Sequence, residues 1–108
     1  MLFRSEREGA SQPIESHLQL NYPNPFNAGT ELTFDVGTRD AGYSVTLAIY
    51  SALGQRVATL FDEVASAGRY RVHWNGRHSN GQTAASGIYF ARFTSHRSTQ
   101  VQRMLLLR

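Results

Sequence analysis

The chain has 108 residues, long enough for one buried core and too short for two. With 41% hydrophobic and 18% charged residues, it has a globular composition and not a disordered one. Its net charge of +3 comes from arginines scattered singly between Arg4 and Arg108, with no lysine and none of the clustering that nucleic-acid binding needs; with no cysteine, disulfides and thiolate metal sites are excluded.

Residues 1–16 mix charge, Ser, Gly and Pro without periodicity and read as a flexible linker or tail. The ordered domain is expected over residues 17–108, opening at His17 or Leu18, with Leu18 and Leu20 as the apolar side of a short first strand. In Asn21-Tyr22-Pro23-Asn24-Pro25-Phe26-Asn27, two prolines spaced by one residue fix φ and forbid regular ladder bonding. The segment reads as a rigid bend, pinned to the core by Tyr22 and Phe26, serving as a stiff connector or as a recognition loop.

Glu31 to Gly37 alternates, with Leu32, Phe34 and Val36 inward; Tyr43 to Tyr50 alternates again, with Val45, Leu47 and Ile49 on one face. Leu53-Gly54 makes a turn. Gln55 to Phe61 is a further strand, where the spacing of Val57 and Leu60 suggests a bulge or a strand end. Asp62 to Ala67 links it to the next unit. Tyr70, Val72 and Trp74 then alternate with Arg69, Arg71 and His73, and the dipeptides Asn75-Gly76 and Asn80-Gly81 supply the positive φ of tight turns. From Gly87, Tyr89, Ala91 and Phe93 alternate with Phe90, Arg92 and Thr94, and Thr99 to Arg108 makes a last strand. Trp74, the one tryptophan, is the expected centre of the core. About seven short strands and no segment of helical period predict an all-β sandwich.

The residues offer no catalytic constellation. His17, His73, His78 and His96 lack metal-ligand spacing, and Asp62-Glu63 on a strand point to opposite faces. Asp35 and Asp40 lack a calcium-loop context. The reading is therefore no enzyme, no cofactor and no metal. No window approaches the roughly 18 apolar residues of a membrane span, so membrane insertion is not expected. MLFRSEREGA lacks the apolar region of a secretory signal; an exported protein would carry that signal on a longer precursor, and otherwise the chain is cytosolic. A carbohydrate-binding module is a competitor, but Phe90, Arg92 and Tyr50 make a thin platform, and Phe90 more simply packs under a loop.

Five pieces in order go beyond a generic sandwich: LQLNYPNPFNAGTELTF, the hairpin IYSALGQRVATL around Gly54, the turn after Trp74-Asn75-Gly76, ASGIYFARF, and an apolar terminus ending in Arg108. Together they resemble the type A C-terminal sorting domain of the type IX (Por) secretion system, over residues 18–108. The flagellar hook-capping protein carries a related Ig-like domain, and the Asn-Tyr-Pro-Asn-Pro-Phe opening favours the sorting family. The resemblance implies an Ig-like or fibronectin-III-like antiparallel sandwich that follows an N-terminal cargo in a longer precursor. It implies recognition by an outer-membrane translocon and its shuttle protein, and export through the periplasm to the cell surface or medium, with the cargo attached to lipopolysaccharide or released. A sortase would cut in the linker, between Glu8 and Ser16. The implied recognition residues are Pro23, Asn24, Pro25, Phe26, Gly87, Tyr89, Met104, Leu105, Leu106, Leu107 and Arg108, with the last strand, Gln102 to Arg108, docking as an open edge. Deleting Met104–Arg108 is expected to abolish export and leave a folded domain. Were these 108 residues the whole natural product, a free-standing adhesive or assembly module would fit better.

Overall fold

The computed structural model describes residues 12–108. Seven strands follow one another: β1 (His17–Leu18), β2 (Thr30–Val36), β3 (Ser44–Ser51), β4 (Arg56–Val64), β5 (Gly68–Trp74), β6 (Gly87–Thr94) and β7 (Thr99–Leu106). They pair antiparallel into two sheets, ordered β1-β2-β5 and β4-β3-β6-β7. This is the sandwich that the period-2 pattern predicts.

Alternation decides which face each strand buries. Leu32, Phe34 and Val36 of β2 meet Val45, Leu47 and Ile49 of β3 and Tyr89, Ala91 and Phe93 of β6 in one core. Phe34 is its hub: its ring stacks on Tyr70 at 5.2 Å and lies 5.1 Å from Phe61 and 5.0 Å from Phe93. Trp74, 1% exposed, is buried as expected but sits at one end, edge-on to Phe26 at 5.6 Å and Tyr89 at 5.2 Å. Such aromatic pairs add about 0.5–1.5 kcal/mol each beyond their burial.

The structure corrects several expectations. β1 ends at Leu18, and Leu20 is 76% exposed. Leu18 pairs with Phe34, yet Tyr22 bridges Glu31, so one extra residue is accommodated between the two pairings. That slip reverses the alternation: Asn21 turns inward in place of Leu20, donating through Nδ2 to Thr30 Oγ1 at 3.1 Å. Tyr22 is 79% exposed, so of the two aromatics only Phe26 enters the core. Asp62 to Val64 are not a link but the end of β4. The bulge expected near Val57 is present as register shifts between β3 and β4, leaving Val57 and Ala58 both buried and Leu60 half-buried.

The linker expectation lies mostly outside the described residues. Within them, Pro13 to Ser16 are bonded to the domain. The carbonyls of Pro13 and Ile14 accept from Thr38 and Arg39, and the Ser16 hydroxyl donates to buried Asp40 while accepting from the Gly37 amide. The backbone of Ile14 and Glu15 passes so close to Gly37 that a Cβ there would collide with it.

The outer face of the three-stranded sheet pairs its charges in register. Asp35 takes a two-point contact from Arg69, at 2.8 and 3.2 Å, and Glu31 lies 3.4 Å from His73. The hydrogen bond to Asp35 is the main reason the Arg69 guanidinium is held above its ordinary pKa. Because Arg69 is well exposed, the pair contributes only about 0–1 kcal/mol.

Burial of Trp74 leads to a direct expectation: Trp74→Ala lowers unfolding stability by about 3–5 kcal/mol. Chemical denaturation followed by circular dichroism checks it, and a loss under about 1 kcal/mol would contradict the packing described.

Candidate functional site

The pieces that stand out in the sequence meet at one end of the sandwich. There β2 begins, β5 and β7 end, and β6 starts, while the chain enters at the opposite end beside residues 37–40.

β7 is the outer strand of its sheet, and its exposed peptide groups need partners. A proline has no N–H to give a ladder, so the segment 23–26 meets β7 with other groups. Both Tyr22–Pro23 and Asn24–Pro25 peptide bonds are cis. The Asn24 side chain accepts from the Leu105 amide at 3.0 Å and donates to the Arg103 carbonyl at 3.3 Å. Phe26 then donates its own amide to Leu105 at 2.9 Å and accepts from the Leu107 amide at 2.9 Å, a parallel bridge one residue long. Its ring drops onto Trp74. Behind the segment, Thr30 Oγ1 donates to the Pro23 carbonyl at 2.8 Å.

The Trp74-Asn75-Gly76 turn is closed from the other side. The Trp74 indole donates to the Arg77 carbonyl at 2.9 Å, and Asn75 Oδ1 accepts from the Arg77 amide at 3.0 Å. Gly76 has φ +73°, and a Cβ on it would lie 2.8 Å from Arg108 Nη2 and 2.9 Å from the Ala28 carbonyl. Its carbonyl accepts twice, from the Ala84 amide at 2.9 Å and Arg108 Nη2 at 2.6 Å. Arg108 also donates Nε to the Ala84 carbonyl at 2.7 Å and its amide to Ser86 Oγ at 2.9 Å. Just beyond, Tyr89 donates its hydroxyl to the Ala85 carbonyl at 2.6 Å. Arg108 thus works as a clasp between two loops.

The candidate residues divide by role. Phe26, Tyr89, Met104 and Leu106 are buried, Gly87 and Leu105 are half-buried, and Pro23, Asn24, Pro25, Leu107 and Arg108 are exposed. Gly54 lies at this end too: the hairpin from Ser51 to Gln55 turns through its φ of +88°. Beside it Leu53 is 89% exposed, and Ile88 on β6 is also exposed. The sequence marks Leu53 only as part of a turn and does not single out Ile88, although an apolar residue at a hairpin tip, with no core to enter, is a visible signal. Asn24, Pro25, Ile88, Arg103, Met104 and Leu105 line a shallow depression of about 300 Å³.

Two expectations change. β7 is not an open edge over Gln102 to Arg108, because Asn24 and Phe26 occupy its groups from Arg103 to Leu107, leaving the stretch around Val101. Nor could the domain survive loss of Met104–Arg108, since Met104 and Leu106 are core residues; removing either core side chain alone costs about 2–5 kcal/mol. Asp35 is engaged by Arg69 and Asp40 by Ser16, and the described residues hold no cluster of three metal-ligating side chains.

Residues 21–98 match the model of the FlgD Ig-like domain. The chain belongs to this family of non-catalytic Ig-like domains. No curated protein matches it. Among solved structures, the domain is similar to PorZ, described as an essential bacterial surface component of the type-IX secretion system of Porphyromonas gingivalis, with 22% identity and a TM-score of 0.57. It is also similar to the Pseudomonas fluorescens alkylpurine DNA glycosylase AlkC, with 16% identity and a TM-score of 0.58. The matches take in 86% and 93% of this chain but only 11% and 32% of those chains, and at such identities they report the shared fold. Among the described residues no helix is long and apolar enough to cross a membrane.

Two substitutions test the clasp. Gly76→Ala is expected to cost about 1–3 kcal/mol, from a left-handed backbone and a Cβ with no room. Arg108→Ala, which removes two carbonyl contacts at an exposed site, is expected to cost no more than about 1 kcal/mol. Urea denaturation measures both, and a neutral Gly76→Ala would contradict the geometry.

Proposed function

We propose that this Ig-like domain is a C-terminal sorting signal for type IX secretion, recognised at the end of the sandwich where Pro23–Phe26, Gly54, Gly76, Gly87 and Arg108 meet. One observation carries the reading. Four segments distant in sequence form a single hydrogen-bonded surface there, and the chain enters at the opposite end. A cargo preceding this domain would leave that surface free for an outer-membrane translocon and its shuttle protein. Similarity to a domain of PorZ is consistent with this setting.

The surface left for a partner is Pro23, Asn24, Pro25, Leu105, Leu107 and Arg108, with Leu53 and Ile88 beside them. Phe26, Tyr89, Met104 and Leu106 support it from within. The domain itself is not an enzyme. A sortase would cut ahead of Pro13, because Pro13 to Ser16 are held by the 37–40 turn and exposed backbone is what a protease needs. The cargo would then reach the outer-membrane surface or the medium.

The second reading is an Ig-like adhesive or assembly module, favoured by the family match over residues 21–98. Export separates the two. A signal peptide and reporter placed ahead of residues 1–108 should reach the surface of a type IX-competent bacterium with loss of this domain, and remain periplasmic in a translocon-null strain. Retention in both would leave the assembly module. Within the fusion, Leu53→Ser with Leu107→Ser is expected to cut surface delivery several-fold while the melting temperature stays within a few degrees. Full delivery of that variant would remove these residues from the recognition surface.

A further inference from the structure

The face of the four-stranded sheet turned away from the core carries a further constellation, beside the hairpin that joins β3 to β4. Register sets Tyr50 of β3 beside Arg56 of β4 and Phe90 of β6, with Arg92 and Val101 in the adjoining row. The Arg92 guanidinium lies 4.6 Å from the Tyr50 ring centroid, and that of Arg56 lies 5.5 Å from it. Both give Nη2 to the same phenol oxygen, at 3.2 and 3.0 Å, and Arg56 also gives Nη1 to Thr59 Oγ1 at 3.1 Å.

Two cations held against one neutral oxygen repel each other and restrict two long side chains. Two other arginines are answered by carboxylates, Arg69 by Asp35 and Arg39 by Glu15. Among the described residues neither Arg56 nor Arg92 has one within 4.0 Å. The acid nearest in register on this face, Asp62, stands opposite Thr46, two rows from Tyr50. Between the guanidiniums opens a cavity of about 200 Å³, lined by Thr46, Ala48, Tyr50, Arg56, Arg92 and Thr94. A shallow cleft of about 310 Å³ adjoins it, sharing Tyr50 and Arg92 and adding the half-buried Phe90 and the exposed Val101.

We propose that this face binds a phosphate ester, with its oxyanion between Arg56 and Arg92 and its organic body over Phe90 and Val101. A guanidinium carries five N–H donors in a planar fork, so each arginine keeps donors beyond those given to Tyr50 and Thr59. One fork satisfies a carboxylate. Two forks approaching from different strands, with Thr46 and Thr94 in the wall, suit the larger set of oxygens on a tetrahedral anion. Tyr50 acts as the positioning residue: its ring and hydroxyl hold both forks before the ligand arrives, which lowers the ordering cost of binding. The site lies on the sheet face and borders the loop end at the Ser51–Gln55 hairpin, whose Gly54 lines the adjoining cleft, but it does not depend on the sorting reading.

Titrations of ¹⁵N-labelled protein with inorganic phosphate and with glucose 6-phosphate, at ionic strength fixed with sodium chloride, test this. Saturable shifts are expected at the Arg56 and Arg92 Nε–H groups and the Thr46 and Thr94 amides. Glucose 6-phosphate should bind several-fold tighter and also move Phe90 and Val101. Arg56→Gln and Arg92→Gln, each exposed and expected to melt as the parent does, should each weaken binding at least tenfold. Arg92→Lys keeps the charge without the fork and should weaken it several-fold. Non-saturating shifts, or shifts equal to those produced by chloride alone, would overturn the site. Equal affinity for the two probes would overturn the ester, and an unimpaired Arg92→Lys would overturn the two-fork geometry.

Discussion

A strand at the end of a sheet leaves a row of peptide groups without partners, and β7 needs those groups satisfied because two of its side chains are core residues. The neighbouring sheet cannot supply a strand, so a short segment that belongs to neither sheet does so. Asn24 offers a side-chain amide in place of a peptide, and Phe26 offers its own backbone. The prolines on either side of Asn24 have no N–H to contribute. The Phe26 ring then anchors the segment on Trp74. Edge protection and core packing are therefore one feature, and neither is available without the other.

The same economy governs the other loops at that end. Gly76 adopts a left-handed backbone, and its carbonyl is met by Ala84 and by the last residue of the chain. Arg108 needs no carboxylate, because three backbone or hydroxyl contacts hold it. An arginine spent in this way differs from Arg69, which closes an in-register ion pair, and from Arg56 and Arg92, which share a phenol. These four arginines thus do three kinds of work: clasping carbonyls, pairing charge across strands, and presenting planar forks. Planarity matters in each, and a lysine ammonium would reproduce none of them well.

The sandwich was legible because its strands alternate with few interruptions, and Leu32, Phe34, Val36, Val45, Leu47 and Ile49 are buried as that pattern requires. Where the reading failed, a local irregularity was responsible. One extra residue before Tyr22 turned Leu20 out and Asn21 in, and no periodicity announces a slip of one. The strand identity of Asp62 to Val64 was hidden because that end of β4 is solvated on both faces and shows no alternation. The gathering of the distinctive segments at one end follows from topology, which sequence order does not display. That they cap β7 and do not leave it open could be read only from side-chain geometry. The paired arginines on the outer face were equally out of sight, since Arg56 and Arg92 stand 36 positions apart in the chain.

The central claim is that segment 23–26, the Gly76 turn and the chain terminus form one cooperative unit that closes the end of the sandwich. Hydrogen exchange at the amides of Phe26, Ala84, Leu105 and Leu107, in the parent protein and in Asn24→Ala, tests it most directly. The account predicts that removing the Asn24 side chain lowers protection at all four amides together, because each belongs to the same bonded network. Faster exchange confined to Leu105, the one amide that Asn24 accepts from, would show that the segments are independent and would contradict the account.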